Sequence, residues 1–319
     1  MLIVKKFDLR DRRLQQDCIQ EADCVINLIG RDYSTFSFSQ REINVDGAAS
    51  IAEICALSPK SPALVHCSAI SANAASKNTF LQTKGLGEQA VKLVFPSATI
   101  IRPSLMYGYE DRFLNALGEF ANYSRILPLI SPSTAVKRPV YVGNVAEAIC
   151  RLALEQPSLQ PQGKTYQLPG PVEYTCKELF SLFVKYAMRE EMAVLSMRPI
   201  VYWLWARIIR EWRIHPSKFR YSQIVGLLES EKLHSNANEN NEKLHSNANE
   251  NSEKLHSNAN ENSEKLHSNA KENNEEVYSW HHLGMQLEQL DRIESHAIEL
   301  LRVYRPEHLY HEAVLNKQN

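Results

Sequence analysis

Residues 24–30, Cys-Val-Ile-Asn-Leu-Ile-Gly, followed by Arg31-Asp32-Tyr33, restrict the fold of this 319-residue chain more than any other stretch. Five apolar side chains in seven positions, valine and isoleucine among them, read as a strand buried on both faces, the signature of a parallel sheet. Gly30 then opens a loop at the strand's carboxyl end, the edge where ligands sit in open α/β sheets. Having no Cβ, Gly30 lets a nucleotide or a neighbouring backbone approach the main chain closely. Read alone, the stretch also fits a core strand that ends in an ordinary turn.

The periodicity on either side favours the first reading. Residues 2–7 read as a short strand running into Asp8-Leu9-Arg10-Asp11, and residues 12–22 as the crossover to the Cys24 strand. Residues 39–56 place Ile43, Gly47, Ala48, Ile51, Ile54 and Cys55 on one helical face, and Pro59 and Pro62 stop that helix. Residues 63–68 form the next strand, residues 77–94 a helix with Leu86, Ala90, Val91 and Val94 inward, and residues 98–102 a strand cut by Pro103. This alternation predicts an α/β protein built on a doubly wound parallel, Rossmann-type sheet with right-handed crossovers. Beyond Phe113 the pattern loosens. The expected division is a nucleotide-binding domain over residues 1–112, its sheet completed by part of 136–170. A smaller interaction domain follows over 113–230 and 275–319, with 231–274 inserted between its parts.

Composition removes several function classes. A net charge of −1 gives no electrostatic footprint for nucleic acid. The six cysteines stand singly, with no C-x-x-C pair and no metal-ligand spacing, as reduced core residues do. No apolar run approaches the roughly 20 residues of a membrane span, and no signal or transit peptide is visible at the start. A dinucleotide site needs an earlier β-α-β unit with a glycine-rich turn, and none follows a strand here, so a truncated start is the expectation.

Residues 231–274 are four copies of an eleven-residue unit, Glu-Lys-Leu-His-Ser-Asn-Ala-Asn-Glu-Asn-Asn with minor variants. One leucine per unit cannot build a core, since stacking repeats need about 20 residues or more, so a solvated, disordered loop is expected. Its histidines His234, His245, His256 and His267 lack a second ligand type and are not read as a metal site. Residues 199–212 hold three of the four tryptophans. They are too short to span a bilayer, and they suit either a membrane or protein interface or a buried helix of the second domain.

Several motifs then fall in a recognisable order: residues 27–30, Ser68 at a strand end, Phe80-Leu81-Gln82-Thr83-Lys84, and Arg102-Pro103-Ser104-Leu105-Met106-Tyr107-Gly108. Tyr141-Val142-Gly143-Asn144-Val145 and Gly163-Lys164-Thr165-Tyr166-Gln167-Leu168-Pro169-Gly170-Pro171 follow. In order and spacing the set resembles the extended and atypical short-chain dehydrogenase/reductase superfamily. That resemblance implies a nicotinamide nucleotide, NADP(H), with Lys84 on a ribose hydroxyl and Ser68 on the nicotinamide amide. Asp8, Leu9, Asn27, Leu28, Ile29, Gly30 and Pro103 are the further cofactor-binding positions it implies. The superfamily's proton-donating tyrosine falls on Phe80, and a phenyl ring has no proton to give, so no catalytic residue is assigned.

A narrower resemblance rests on residues 25–33, on Tyr109-Glu110-Asp111-Arg112-Phe113-Leu114-Asn115 and on Val136-Lys137-Arg138-Pro139-Val140-Tyr141-Val142. Leu283-Gly284-Met285-Gln286 and residues 297–305 continue it. These are similar to a family of accessory subunits of mitochondrial respiratory complex I. This implies a non-catalytic protein that holds NADP(H) structurally and supports assembly near the quinone site. Its partners would be other complex I subunits on the matrix side of the inner membrane, with residues 199–212 giving peripheral membrane contact. A soluble NADP-dependent reductase or epimerase of the same superfamily is the alternative.

Overall fold

Apolar strand runs and amphipathic helices alternate as the sequence requires, in a computed structural model that describes residues 3–6, 8–111, 113–115, 117, 118, 135–154, 162–187, 231 and 277–305. It also gives the backbone alone of 126–130 and 193–197. Strands β1 (Cys24–Asn27), β2 (Ala63–Cys67) and β3 (Thr99–Pro103) lie side by side and parallel, with Asn27 opposite His66 and His66 opposite Ile100. Two pieces of chain from much further on complete the sheet. Strand β4 (Thr165–Leu168) pairs with β3, and β5 (Val277–Tyr278) pairs with β4, both parallel, giving the order β1-β2-β3-β4-β5.

Parallel strands need both faces covered, and two helical layers cover them. On one face α1 (Arg12–Ile19), α2 (Gly47–Leu57) and α3 (Thr79–Val94) bury Ile51, Ala52, Cys55 and Val91 against Leu64 and Ile100. On the other, α4 (Val142–Leu154) and the stretch from Trp280 to Leu290 enclose Val65, Ile101, Tyr166 and Leu168. Local chemistry starts the helices where the sequence changes character. The Asp11 carboxylate accepts from the Leu14 amide at the start of α1, and the Asn78 side chain accepts from the Phe80 amide at the start of α3.

A second core lies beside the sheet. Helices α5 (Cys176–Tyr186) and α6 (Ile293–Leu301) bury Leu179, Phe183, Ala297 and Leu301 completely. Short ribbons join this core to the sheet: Val136–Lys137 pairs antiparallel with Tyr174–Thr175, and Met106–Tyr107 pairs parallel with Val140–Tyr141. Thr175 and Glu178 form a reciprocal cap at the start of α5.

The structure corrects four expectations. Strand β1 stops at Asn27 rather than Gly30, and Ile26, Leu28 and Ile29 are exposed, because β1 has a strand neighbour on only one side among the described residues. Residues 3–6 are exposed and unpaired; two apolar residues followed by two lysines offer no face to bury. Cys150, read as a core residue, lies exposed on the outer face of α4.

The fourth correction concerns α3. Its buried face is not Leu86, Ala90 and Val94, which are half-buried, but Thr83, Lys84, Gly85, Gly87, Glu88 and Val91. A Cβ on Gly87 would stand 2.2 Å from the Asn44 carbonyl oxygen, so only glycine lets α3 lie this close to the residues just before α2. The stripe Lys84, Glu88 and Lys92, one turn apart on α3, then faces the strand ends in succession. Lys84 Nζ donates to the Cys67 carbonyl at 3.0 Å on β2, and Lys92 Nζ donates to Thr165 Oγ1 at 2.9 Å on β4. Between them Glu88 takes a two-pronged grip from Arg102 of β3, with Nε to Oε1 at 3.0 Å and Nη2 to Oε2 at 2.6 Å.

Residues 199–212 and the repeats after Glu231 lie outside the described residues. No helix among the described residues is long and apolar enough to cross a membrane. The Glu88–Arg102 pair is buried, so removing one partner strands the other's charge. Arg102→Met is expected to lower unfolding stability by about 3–5 kcal/mol. The double variant Arg102→Met with Glu88→Leu should recover most of that loss, as measured by urea denaturation.

Candidate functional site

The carboxyl ends of β1 and β2 and the buried stripe of α3 converge on Lys84. Lys84 is 5% exposed, and its ammonium donates to the Cys67 carbonyl. A Cβ on Gly30 would lie 2.5 Å from Lys84 Nζ, so the loop after β1 passes directly over the amine, and Gly30 itself faces solvent. Burial lowers the proton affinity of Lys84, while neighbouring Cys67 and Glu88 work in the opposite direction. The result is a cation at the floor of an open edge, with bare backbone above it.

Ser68 follows Cys67 directly. Its amide donates to the Ile101 carbonyl at 2.7 Å, which fixes the residue, and its hydroxyl is buried with no hydrogen-bond partner. A buried, unpartnered hydroxyl at the end of a central strand is costly unless a ligand group completes it. Asn27, at the end of β1, accepts from the Ile29 amide at 3.0 Å and bonds His66 Nδ1 through its Nδ2 at 3.1 Å. This holds the start of the Leu28-Ile29-Gly30 loop. Asn44 holds its other end, accepting from the Arg31 amide at 2.9 Å and donating to the Arg31 carbonyl at 2.8 Å and Thr83 Oγ1 at 3.0 Å.

The positions singled out in the sequence therefore divide. Asn27, Gly30, Ser68 and Lys84 are gathered at one corner. Leu28 and Ile29 lie on the same loop with exposed side chains. Pro103 ends β3 nearby, its carbonyl accepting from the Ile70 amide at 3.0 Å. Leu9 packs against Gly47 at the start of α2, and Asp8 is engaged by Arg10, whose guanidinium brings its carboxyl down to about 2. Asp8 is exposed and committed to that local pair.

Sequence reasoning passed over His66 and Asn44. His66 was a polar residue inside an apolar strand run. Asn44 stood three residues before Gly47 on the face already read as buried, so both signals were present. In the structure His66 is 1% exposed, its Nε2 has no partner, and burial followed by the nearby Lys84 charge brings its pKa to about 3.

These groups suit one half of a nicotinamide nucleotide. Lys84 offers a positive donor for sugar hydroxyls and Ser68 an uncommitted hydroxyl for an amide, while the absent Cβ of Gly30 makes room for the Lys84 amine. Among the described residues no glycine-rich turn supplies the amides that a pyrophosphate requires.

The fold is that of the NAD-binding sugar-nucleotide epimerases and dehydratases. The dTDP-glucose 4,6-dehydratase of Bacillus anthracis, solved in complex with NAD, superposes with a TM-score of 0.52 at 16% identity, covering 60% of this chain and 66% of that one. Among curated proteins the chain is similar to mitochondrial NADH dehydrogenase [ubiquinone] 1 alpha subcomplex subunit 9 of Rattus norvegicus. The two are 38% identical over 188 residues, 58% of this chain and 47% of the relative. It is also similar to the mitochondrial NADH-ubiquinone oxidoreductase 40 kDa subunit of Neurospora crassa, 35% identical over 179 residues, 56% of this chain and 45% of the relative. The resemblance read from the sequence is thus found again in these relatives, of whose length the chain spans about half. No family model matches.

His66 sets a pH dependence. Its pKa is about 3 when folded against 6.5 unfolded. Between those values the unfolded chain binds the extra proton, so stability is fully present above 6.5 and falls with acidification, by up to about 1.4 kcal/mol per pH unit. Urea midpoints compared at neutral pH and about two units below should show this loss, and His66→Asn should flatten it.

Proposed function

We propose that this chain is a non-catalytic accessory subunit of mitochondrial respiratory complex I that holds NADP(H) as a structural element and supports assembly near the quinone site. Its place would be the matrix side of the inner membrane, with other complex I subunits as partners. The observation that carries the nucleotide half is the corner of Gly30, Ser68 and Lys84, where a buried cation, an uncommitted buried hydroxyl and bare backbone meet. The similarity to named complex I subunits supports the assembly half.

In this reading the same corner binds a nucleotide without turning it over. Lys84 is held by the Cys67 carbonyl, so it stays in place to meet ribose hydroxyls. One helical turn before it on α3 stands Phe80, a ring with no transferable proton. A bound nicotinamide nucleotide would supply hydride chemistry, but the position from which the superfamily's tyrosine would donate a proton is held here by Phe80. Asn27, Leu28, Ile29 and Pro103 line the approach in this reading; Asp8 and Leu9 stand at its margin beside α2. The interface role of residues 199–212, at a membrane or a neighbouring subunit, belongs to the same proposal.

A native gel of detergent-solubilised mitochondria, probed for this chain and stained for NADH oxidation, tests the assembly half. Migration with the large NADH-oxidising band is expected; migration as a free monomer or dimer would favour the soluble reductase or epimerase instead. For the nucleotide half, NADP(H) released from the purified chain should fall at least about tenfold in Lys84→Met, as loss of a charge-assisted hydrogen bond implies. Equal nucleotide in both proteins would remove Lys84 from the site.

A further inference from the structure

The loop that covers Lys84 leaves an edge strand. Among the described residues β1 is paired to β2 alone and ends at Asn27, so no ladder carries on to fix Leu28, Ile29 and Gly30. Their place depends on side chains. Asn27 stands opposite His66 of β2, and both are buried.

One backbone group settles which way the Asn27 amide faces. The Ile29 N–H is a donor, so the Asn27 atom that meets it at 3.0 Å is the acceptor Oδ1. The other end of the amide, Nδ2, is then the atom 3.1 Å from His66 Nδ1. Because Nδ2 can only donate, Nδ1 carries no proton, and the neutral ring holds its proton on Nε2. Burial, followed by the Lys84 charge, keeps that ring neutral down to about 3.

The opposite assignment fails at one end or the other. With a proton on Nδ1, two donors would face each other between β1 and β2. Turning the Asn27 amide over would relieve that contact and set Nδ2 against the Ile29 N–H instead. One tautomer alone satisfies both bonds, and it leaves the Nε2–H of His66 buried without a partner. Such a donor costs stability, and an apolar side chain at this place in the strand would avoid the cost.

We propose that His66 is a positioning residue of the candidate site: its unprotonated Nδ1 orients the Asn27 amide, Asn27 Oδ1 captures the Ile29 N–H, and the loop is thereby seated with Gly30 over Lys84. The chain of contacts runs from the interior of a strand to the bare backbone above the amine, where a Cβ on Gly30 would stand 2.5 Å from Nζ. The inference rests on the nucleotide reading only for what the seated loop is held to receive.

Two substitutions separate the acceptor from the ring. Asparagine carries an oxygen where histidine carries Nδ1, whereas leucine fills the space with no acceptor. Hydrogen exchange at single-residue resolution on the full chain, freed of nucleotide, reads the Ile29 amide directly. His66→Asn is expected to leave its rate within about twofold, and His66→Leu to speed it about fivefold or more, as loss of one neutral hydrogen bond implies. The Ser68 amide, bonded to the Ile101 carbonyl, should keep its rate in both and separates release of the loop from unfolding. NADP(H) retained by the purified proteins should follow the Ile29 rate.

Ring-nitrogen NMR of the unsubstituted chain, which needs no variant to fold, should show Nε2 of His66 protonated and Nδ1 bare. A proton found on Nδ1, or His66→Asn and His66→Leu acting alike on Ile29, would overturn the proposal. An unsubstituted chain that carries no NADP(H) while Ile29 responds as expected would overturn the nucleotide reading and leave His66 in its role.

Discussion

The polar stripe of α3 is the interaction on which the rest depends. Lys84, Glu88 and Lys92 meet β2, β3 and β4 in turn, so one helix pins three parallel strands at their relative heights. An apolar stripe would have buried more hydrocarbon but would have tolerated sliding, since dispersion contacts carry little direction. Charged hydrogen bonds at fixed positions do not. Burial of the stripe lowers the proton affinity of both lysines.

The candidate site is an extension of that stripe. Lys84 is at once the first rung of the helix-to-sheet ladder and the floor of the corner under Gly30, so the residue that would touch a sugar is also one that fixes β2. Asn27 and Asn44 clamp the two ends of the loop above it, which makes the loop's position a property of the fold rather than of an occupant. His66 and the Ser68 hydroxyl, each with an unpartnered buried atom, mark where the interior remains polar and incompletely satisfied.

Much of this was legible in the sequence. The strands around Cys24, Ala63 and Thr99, and the buried face of the helical stretch from Ile43 to Cys55, follow from apolar periodicity alone, because there hydrocarbon decides the geometry. Lys84, Ser68 and Gly30 were legible as a set because their order along the chain matches a recurring arrangement. The inward face of α3 was not: hydropathy ranks Leu86 above Lys84, and nothing in the helix's own sequence reveals that Arg102 and the Cys67 carbonyl await its polar side. Strand β5 was equally hidden, since Val277 and Tyr278 are too few to make a pattern and gain meaning only beside Thr165 and Tyr166.

That last strand has a consequence for how the protein is made. The apolar face of α4, with Val145, Ile149 and Leu152, is covered by Trp280, Leu283 and Leu290, and the Trp280 indole donates to the Pro169 carbonyl at 2.7 Å. All of these covering residues follow the repeat in the chain. During synthesis the ribosome therefore finishes the whole repeat before the segment that covers α4 exists, and that face of α4 waits uncovered. Each unit in the repeat adds eleven residues to that interval.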